Sequence, residues 1–111
     1  MATTVTFSQP QDSVVIYKWS ALSGGENGDA VQAAGYDTKC LQAFGTFTSI
    51  TAQGSNDGTN WNNLHKFEDG SLAQLTAAGF MRILENPLHF RVVSVGAGAG
   101  CTVILCATAE E

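Results

Sequence analysis

The sequence predicts an all-β fold, an antiparallel β-sandwich or jelly-roll-like domain of about seven to eight short strands. Twelve glycines divide the 111 residues into short pieces. Several of these pieces are rich in β-branched and aromatic residues, and nothing helical separates them as parallel neighbours would require. A chain of this length buries one continuous core, so we predict a single domain over residues 1–111.

The first half of the chain contains three predicted strands. Residues 1–12 are polar and are expected to form an extended N-terminal arm. Residues 14–19 are β-branched and aromatic throughout, which is typical of a strand. Residues 20–36 carry repeated glycines and predict a long surface loop, which is uncommon in a compact domain unless it has a task. Strands are predicted again at 38–43 and 46–53, the second with a period of two.

The second half begins with the strongest turn signal in the chain. Residues 54–60, Gly-Ser-Asn-Asp-Gly-Thr-Asn, tolerate positive φ and hydrogen-bond their own backbone. A strand over 61–67 would complete a hairpin. A helix over 72–84 is the alternative to strands there, but Gly79 in its middle costs about 1 kcal/mol relative to alanine. Further strands are therefore predicted at 72–75, 79–85, 89–95 and 101–107. The last three are apolar on both faces, so they should lie centrally or be covered by another subunit.

The charge of the chain excludes several classes of partner. The net charge is −5, and the five lysines and arginines are scattered along the sequence. Nucleic acid and anionic membrane surfaces are therefore not expected partners. Charged residues are only 14% of the chain, against about 25% in an average soluble protein. Either much of the surface lies against another molecule, or it is a sandwich with an ordinary Thr/Ser-rich skin.

The N-terminus and the cysteines predict a cytosolic site of synthesis. The first residues have neither the basic region nor the apolar run of a signal peptide. Cys40, Cys101 and Cys106 are odd in number, and a disulfide between the last two would be strained within one strand. No spacing typical of a zinc site is present. We therefore interpret the cysteines as small buried hydrophobic residues.

No arrangement of residues predicts catalysis, so we expect a protein that is not an enzyme and has no cofactor and no metal. The two histidines, His65 and His89, are flanked by ordinary strand residues and are interpreted as structural. An EF-hand at the 54–60 turn is excluded because Gln53 and Leu64 would occupy ligand positions that need carboxylates. A looser calcium site in that loop stays open on ligand type alone.

Contact with a ligand or partner is predicted at the same turn, through Asn56, Asp57, Asn60 and Trp61. A tryptophan just after a polar hairpin tip can stack on a sugar or anchor a protein contact. The interpretation we favour for Trp61 alone is structural, with the ring packing beside its own turn as the first core residue of the strand.

Residues 50–61, which contain the segment GSNDGTNW, resemble small structural proteins of tailed bacteriophages. The similarity continues through residues 75–87 and through 89–100, HFRVVSVGAGAG, into the last strand. It covers about the C-terminal two-thirds of the chain. The hairpin tip alone is also similar to the SxDGxxW segment of discoidin-type sandwiches.

The resemblance implies a non-enzymatic virion protein, most simply a capsid decoration, or cement, protein. Its implied partners are the major capsid protein, whose lattice it would stabilise, and further copies of itself, as a homo-oligomer and most simply a homotrimer. The implied location is the virion, after synthesis in the host cytoplasm. The alternative function is a carbohydrate-binding β-sandwich module, for example in a phage tail or baseplate.

Overall fold

Ten β-strands form two antiparallel sheets in the computed structural model, which describes residues 5–11, 13–22, 28–32, 35–95 and 101–109. The strands are β1 Val5–Gln11, β2 Val14–Leu22, β3 Val31–Gln32, β4 Thr38–Phe44, β5 Ser49–Ser55, β6 Asn62–Asn63, β7 Gln74–Leu75, β8 Gly79–Ile83, β9 His89–Val95 and β10 Cys101–Thr108. The predicted all-β antiparallel sandwich is confirmed. Within the described residues, no helix is long and apolar enough to cross a membrane.

Both sheets place strands side by side that are far apart in the sequence. The first sheet has the order β1-β2-β10-β4-β8, so the last strand lies at its centre. The second has the order β3-β9-β5-β6, and β7 also pairs with β5. All pairs are antiparallel, and the long ones run in register from Thr38 to Phe44 on β4 and from Ser49 to Ser55 on β5.

The core lies between the inner faces of the two sheets. Alternate residues of β10 are buried, as the period of two requires for a sheet with one face against the core. Trp19 of β2 is fully buried, and its ring centroid lies 6.4 Å from that of Phe90 on β9. The Trp19 Nε1–H donates a hydrogen bond to the carbonyl oxygen of Asp29 at 3.0 Å. The indole therefore joins the two sheets and satisfies its polar atom as well.

One charged side chain is buried with this core. Lys39 on β4 is fully buried, and its Nζ donates to the carbonyl oxygen of Tyr36 at 2.9 Å and to Oδ1 of Asn86. Burial lowers the pKa of this ammonium group to about 8, although the Asp37 carboxylate acts in the opposite direction. Water stabilises the charged form of an amine more than the neutral form. Burial removes that water, and the pKa therefore falls.

The predicted loop over 20–36 is wrong at its start and is interrupted by a short strand. Strand β2 continues to Leu22, because residues 14–22 pair with β10 beyond the β-branched stretch. Val31 and Gln32 form β3, which pairs with Phe90 and its neighbour on β9. Residues 23–27 and 33–34 of that predicted loop lie outside the described residues.

The strands on either side of the predicted turn are displaced. The strand expected at 46–53 runs from Ser49 to Ser55, and both of its faces are largely buried. The strand expected at 61–67 is reduced to Asn62–Asn63, followed by isolated bridges to β-structure at Leu72 and Ile83. The Leu64 N–H still donates to the Ala52 carbonyl oxygen of β5, but beyond residue 64 the backbone pairs with Leu72 and Ile83, and short pieces therefore replace one continuous strand.

The last three strands were expected to lie centrally or to be covered by another subunit, and only two of them are central; cover by another subunit stays a prediction. Strand β10 is central and β9 lies between β3 and β5, but β8 is an edge strand. The outer face of the first sheet, which points away from the core, is formed by even-numbered residues of β2, β4, β8 and β10, and ten half-buried or exposed ones define it here. They are Ile16, Lys18, Cys40, Gln42, Phe44, Phe80, Arg82, Thr102, Ile104 and Cys106.

The cysteines divide between the two faces of that sheet. Cys101 is fully buried in the core, as predicted. Cys40 and Cys106 are only half-buried, so the prediction is wrong for them. The period of two accounts for the difference, because 101 is odd and 40 and 106 are even in strands whose odd residues face the core.

Part of the predicted N-terminal arm is a strand of the first sheet. Residues 5–11 form β1, which pairs with β2 and lies at the edge of the sheet. Residues 1–4 and 12 lie outside the described residues. The role of residues 1–12 as an arm that reaches a neighbouring molecule stays a prediction.

Candidate functional site

A polar groove of about 700 Å³ lies beside the predicted hairpin tip. One wall is the connection between β5 and β6, and the other is the segment between β8 and β9. The lining residues are mostly amides and carboxylates: Gly54, Ser55, Asn56, Asp57, Asn60, Asn62, Asn63, Leu64, His65, Glu85, Asn86 and Pro87.

Asp57 organises the hairpin tip. Its Oδ1 accepts hydrogen bonds from the backbone N–H groups of Thr59 and Asn60, both at 2.8 Å, and from the Ser55 hydroxyl at 2.8 Å. Its Oδ2 accepts from Nδ2 of Asn60 at 2.7 Å. These donors, the two backbone N–H groups first, hold the pKa of the Asp57 carboxyl group well below its usual range. Gly58 has φ 77°, as the Asp-Gly sequence predicts.

The tip is fastened to the opposite wall by a hydrogen bond and by close packing. Oδ1 of Asn56 accepts a hydrogen bond from the backbone N–H of Leu88 at 3.0 Å. Gly54 lies at the base of the groove, where a β-carbon would stand 2.5 Å from Cγ of Pro87 and 2.9 Å from Cδ2 of Leu64. The groove therefore depends on a residue without a side chain at position 54.

His65 and Glu85 form a pair across the groove. The His65 backbone N–H donates to Oε1 of Glu85 at 2.8 Å, and His65 Nδ1 lies 2.5 Å from Oε2. Burial acts to raise the pKa of the Glu85 carboxyl group, but the two hydrogen bonds from His65 outweigh it and the pKa is lowered. Both side chains remain partly exposed, so a bound molecule can reach them.

Trp61 lies outside the groove lining. The guanidinium carbon of Arg91 is 4.2 Å from the centroid of its ring, and the ring of His89 is 6.4 Å away. Arg91 in turn donates from Nε to Oε1 of Gln53 at 3.0 Å. Trp61 is half-buried on the outside of β9 and is not one of the buried core residues. A cation–π contact with Arg91 thus takes the place of the expected core packing.

The groove can form hydrogen bonds to a polar molecule, and the hydroxyl group in its described lining is used within the hairpin turn. Ser55 carries the one hydroxyl among the described lining residues, and it donates to Asp57 while accepting from the N–H groups of Asp57 and Gly58. Glu85 orients the His65 ring, as a carboxylate orients a general base. Among the described residues, no three His, Cys, Asp or Glu side chains are arranged to hold a metal ion.

Three of the four residues predicted as contacts, Asn56, Asp57 and Asn60, line the groove together. Sequence reasoning missed His65 and Glu85, which complete it. Their spacing of twenty residues carries no motif, and only the bridge pairings that bring residues 65–66 beside the end of β8 place them together.

Comparison with known proteins finds similarity in structure only. No family model and no curated protein matches the sequence. The SPBc2 prophage-derived protein YomS has the same fold, with a TM-score of 0.66 and 9% identity over 92% of this chain and 100% of YomS. A cupin domain from Bordetella pertussis Tohama I has a TM-score of 0.57 and 8% identity over 99% of this chain and 98% of that domain.

A third similar structure is Peruvianin-I, a cysteine peptidase from Thevetia peruviana latex. Its TM-score is 0.53 and its identity 16%, over 94% of this chain and 60% of that protein. Sequence identities this low transfer the fold and nothing further. The chain therefore has a two-sheet antiparallel architecture that it shares with a prophage-derived protein and with a cupin domain.

Proposed function

We propose that this chain is a non-enzymatic structural protein of a tailed-phage particle, a capsid decoration protein that binds the major capsid protein and further copies of itself. The observation that carries the proposal is an exposed aromatic patch on and beside strands β4 and β8 of the first sheet, consisting of Phe44, Phe67, Phe80 and Arg82. The resemblance of residues 50–61 to phage structural proteins supports it. So does the fold shared with a prophage-derived protein.

The aromatic patch has the composition of a protein interface. The exposed fractions of Phe80, Phe67 and Phe44 are 67%, 50% and 41%. The Arg82 guanidinium carbon lies 4.0 Å from the centroid of the Phe67 ring, which holds both side chains in place. Exposed aromatic and arginine side chains are enriched at protein interfaces, where they supply most of the binding energy.

The non-enzymatic part of the proposal rests on the groove. Its hydroxyl and its hairpin carboxylate are both occupied by the hydrogen bonds of the turn. The His65–Glu85 pair then has no neighbouring hydroxyl in the described lining to activate.

The test is binding of the purified chain to empty shells of the major capsid protein of its source phage. We expect the native chain to form a trimer by light scattering and to cosediment with the shells. Phe80→Ser removes the most exposed aromatic ring of the patch and should weaken shell binding about tenfold or more. Val95→Ser is the matched control, because Val95 is 51% exposed but lies on the second sheet.

Two outcomes would contradict the proposal. One is a native chain that is strictly monomeric and does not sediment with shells. The other is equal weakening by Phe80→Ser and Val95→Ser, which would remove the assignment of the aromatic patch as the interface.

The groove favours carbohydrate binding as a second candidate function. Its amide and carboxylate side chains suit sugar hydroxyl groups, and Asn62 is an exposed member of the lining. Trp61 lies outside this lining, so the amide and carboxylate side chains would form the sugar contacts in the groove, and contact through the Trp61 ring stays a prediction.

Side-chain amide NMR signals distinguish this candidate directly. A glycan that binds should shift the amide signals of Asn62 and Asn63 in a saturable way, and Asn62→Ala should weaken the binding several-fold. Gln42→Ala, on the outer face of the first sheet, is the control. Unchanged amide signals across a panel of glycans would leave the groove without a sugar-binding role.

A further inference from the structure

Cys40 and Cys106 lie directly opposite each other on neighbouring strands of the first sheet. Their Cα atoms are register partners in the antiparallel pairing of β4 and β10. Residues in this relation have Cα atoms about 4.5–5.5 Å apart. A disulfide requires Cα atoms about 4.4–6.8 Å apart, so a bond between the two sulfurs needs little movement of either strand.

The two thiols also share a face and an environment. Both are half-buried on the outer face of the first sheet, on strands whose alternate residues face the core. Burial raises the pKa of the Cys40 thiol, and the nearby Cys106 and Glu68 raise it further while Arg82 acts against them. This electrostatic effect of Cys106 on Cys40 is consistent with their positions directly opposite each other on β4 and β10.

Cys101 differs from Cys40 and Cys106 in its burial and in the face of the sheet on which it lies. It is fully buried, it faces the core, and its register partner is Leu22 of β2. Burial raises the pKa of its thiol as well. It lies on the opposite side of β10 from Cys106, so it is shielded from solution and from the other two cysteines.

We propose that Cys40 and Cys106 are a covalent modification site, a cross-strand dithiol that reacts with low-molecular-weight disulfides to form an intramolecular disulfide between β4 and β10. In the first step one protein thiolate attacks a sulfur of the small disulfide and displaces one small thiolate, leaving a mixed disulfide. In the second the other protein thiolate attacks the protein sulfur of that mixed disulfide and displaces the second small thiolate. The two protein thiols are oxidised, the small disulfide is reduced, and the two thiol protons pass to the released thiolates.

The bond would join the central strand β10 to its neighbour β4 and would close a loop that contains all residues between Cys40 and Cys106. Cross-links that close long loops restrict the unfolded chain strongly and so stabilise the folded one. The reaction concerns the free chain and does not depend on the proposed role in a capsid.

The test is incubation of the purified full chain with oxidised glutathione at about pH 8.5, near the pKa of an ordinary thiol. Thiols are then counted in denaturant. We expect the count to fall from the three cysteines of the sequence to one. Peptide mapping should find Cys40 bonded to Cys106, and Tm should rise by about 5 °C or more.

Two variants separate the pair from the third cysteine. Cys40→Ser should leave a stable glutathione adduct on Cys106, because no neighbouring thiolate remains to displace it. Cys101→Ala should still form the internal bond and retain no free thiol. In the native chain, each of three results would overturn the proposal: three remaining thiols, a persistent glutathione adduct on Cys40 or Cys106, or a disulfide between two chains.

Discussion

Replacing Trp19 with alanine should lower the free energy of unfolding by about 3–5 kcal/mol, the cost of deleting a large buried side chain. The ring is fully buried against Phe90 of the opposite sheet, and its Nε1–H bonds the Asp29 carbonyl oxygen. The substitution therefore leaves a cavity between the sheets and a carbonyl group without its donor. Chemical denaturation followed by circular dichroism measures the change.

Trp61→Ala is the matched control, because it removes the other tryptophan of the sequence. Trp61 contacts Arg91 at the surface of β9, and its loss should cost roughly 1 kcal/mol or less. In that variant the remaining fluorescence comes from Trp19 alone and should be blue-shifted until the protein unfolds. Comparable losses of stability in the two variants would mean that Trp19 does not join the sheets as described.

Stability of the native protein is expected to rise between about pH 8 and pH 10.5, and Lys39→Met should remove that rise. The pKa of Lys39 is lowered by burial from 10.5 to about 8 in the folded chain. Between these values the unfolded chain holds a proton that the folded chain has released, so the free energy of unfolding increases with pH. At about 1.36 kcal/mol per pKa unit, the difference between the native protein and the variant should change by roughly 3 kcal/mol at most.

The comparison isolates Lys39 from other groups that titrate in the same range. Both proteins retain the tyrosines and cysteines, and only the difference between their denaturation curves at each pH is used. Lys18→Met removes an exposed ammonium group from the same sheet and serves as the control. A native-minus-variant difference that is flat from pH 7 to pH 11 would show that the Lys39 amine is solvated.

Local patterns predicted much of the fold. The strands at 89–95 and 101–107 were placed within one residue, because their β-branched residues are bounded by glycine or proline. The strand at 46–53 was displaced because tertiary pairing with β9 selects residues 49–55. The short strand β3 carries no local signal, since two residues cannot show a period and its pairing with Phe90 is long-range.

In the candidate site, too, the sequence predicted the residues of a local turn and missed those that the fold brings together. Asp57 and Asn60 belong to a turn whose chemistry is local, so the sequence identified them. The same local chemistry predicts that these side chains hydrogen-bond their own turn, as Asp57 does by accepting from Asn60, which leaves less for a ligand. The aromatic patch could not be predicted either, because Phe80 lies in a strand that was expected to be central and is found at an edge.

The central position of β10 has a consequence for the synthesis of the chain. Strands β1 and β2 and strands β4 and β8 leave the ribosome as two separate pairs, and each pair has an unfilled edge until residues 101–108 insert between them. The first sheet can therefore close only after translation of its last strand. Its formation depends on pairing residues 14–22 with residues far along the chain, which is slow and exposes strand edges to association with other nascent chains.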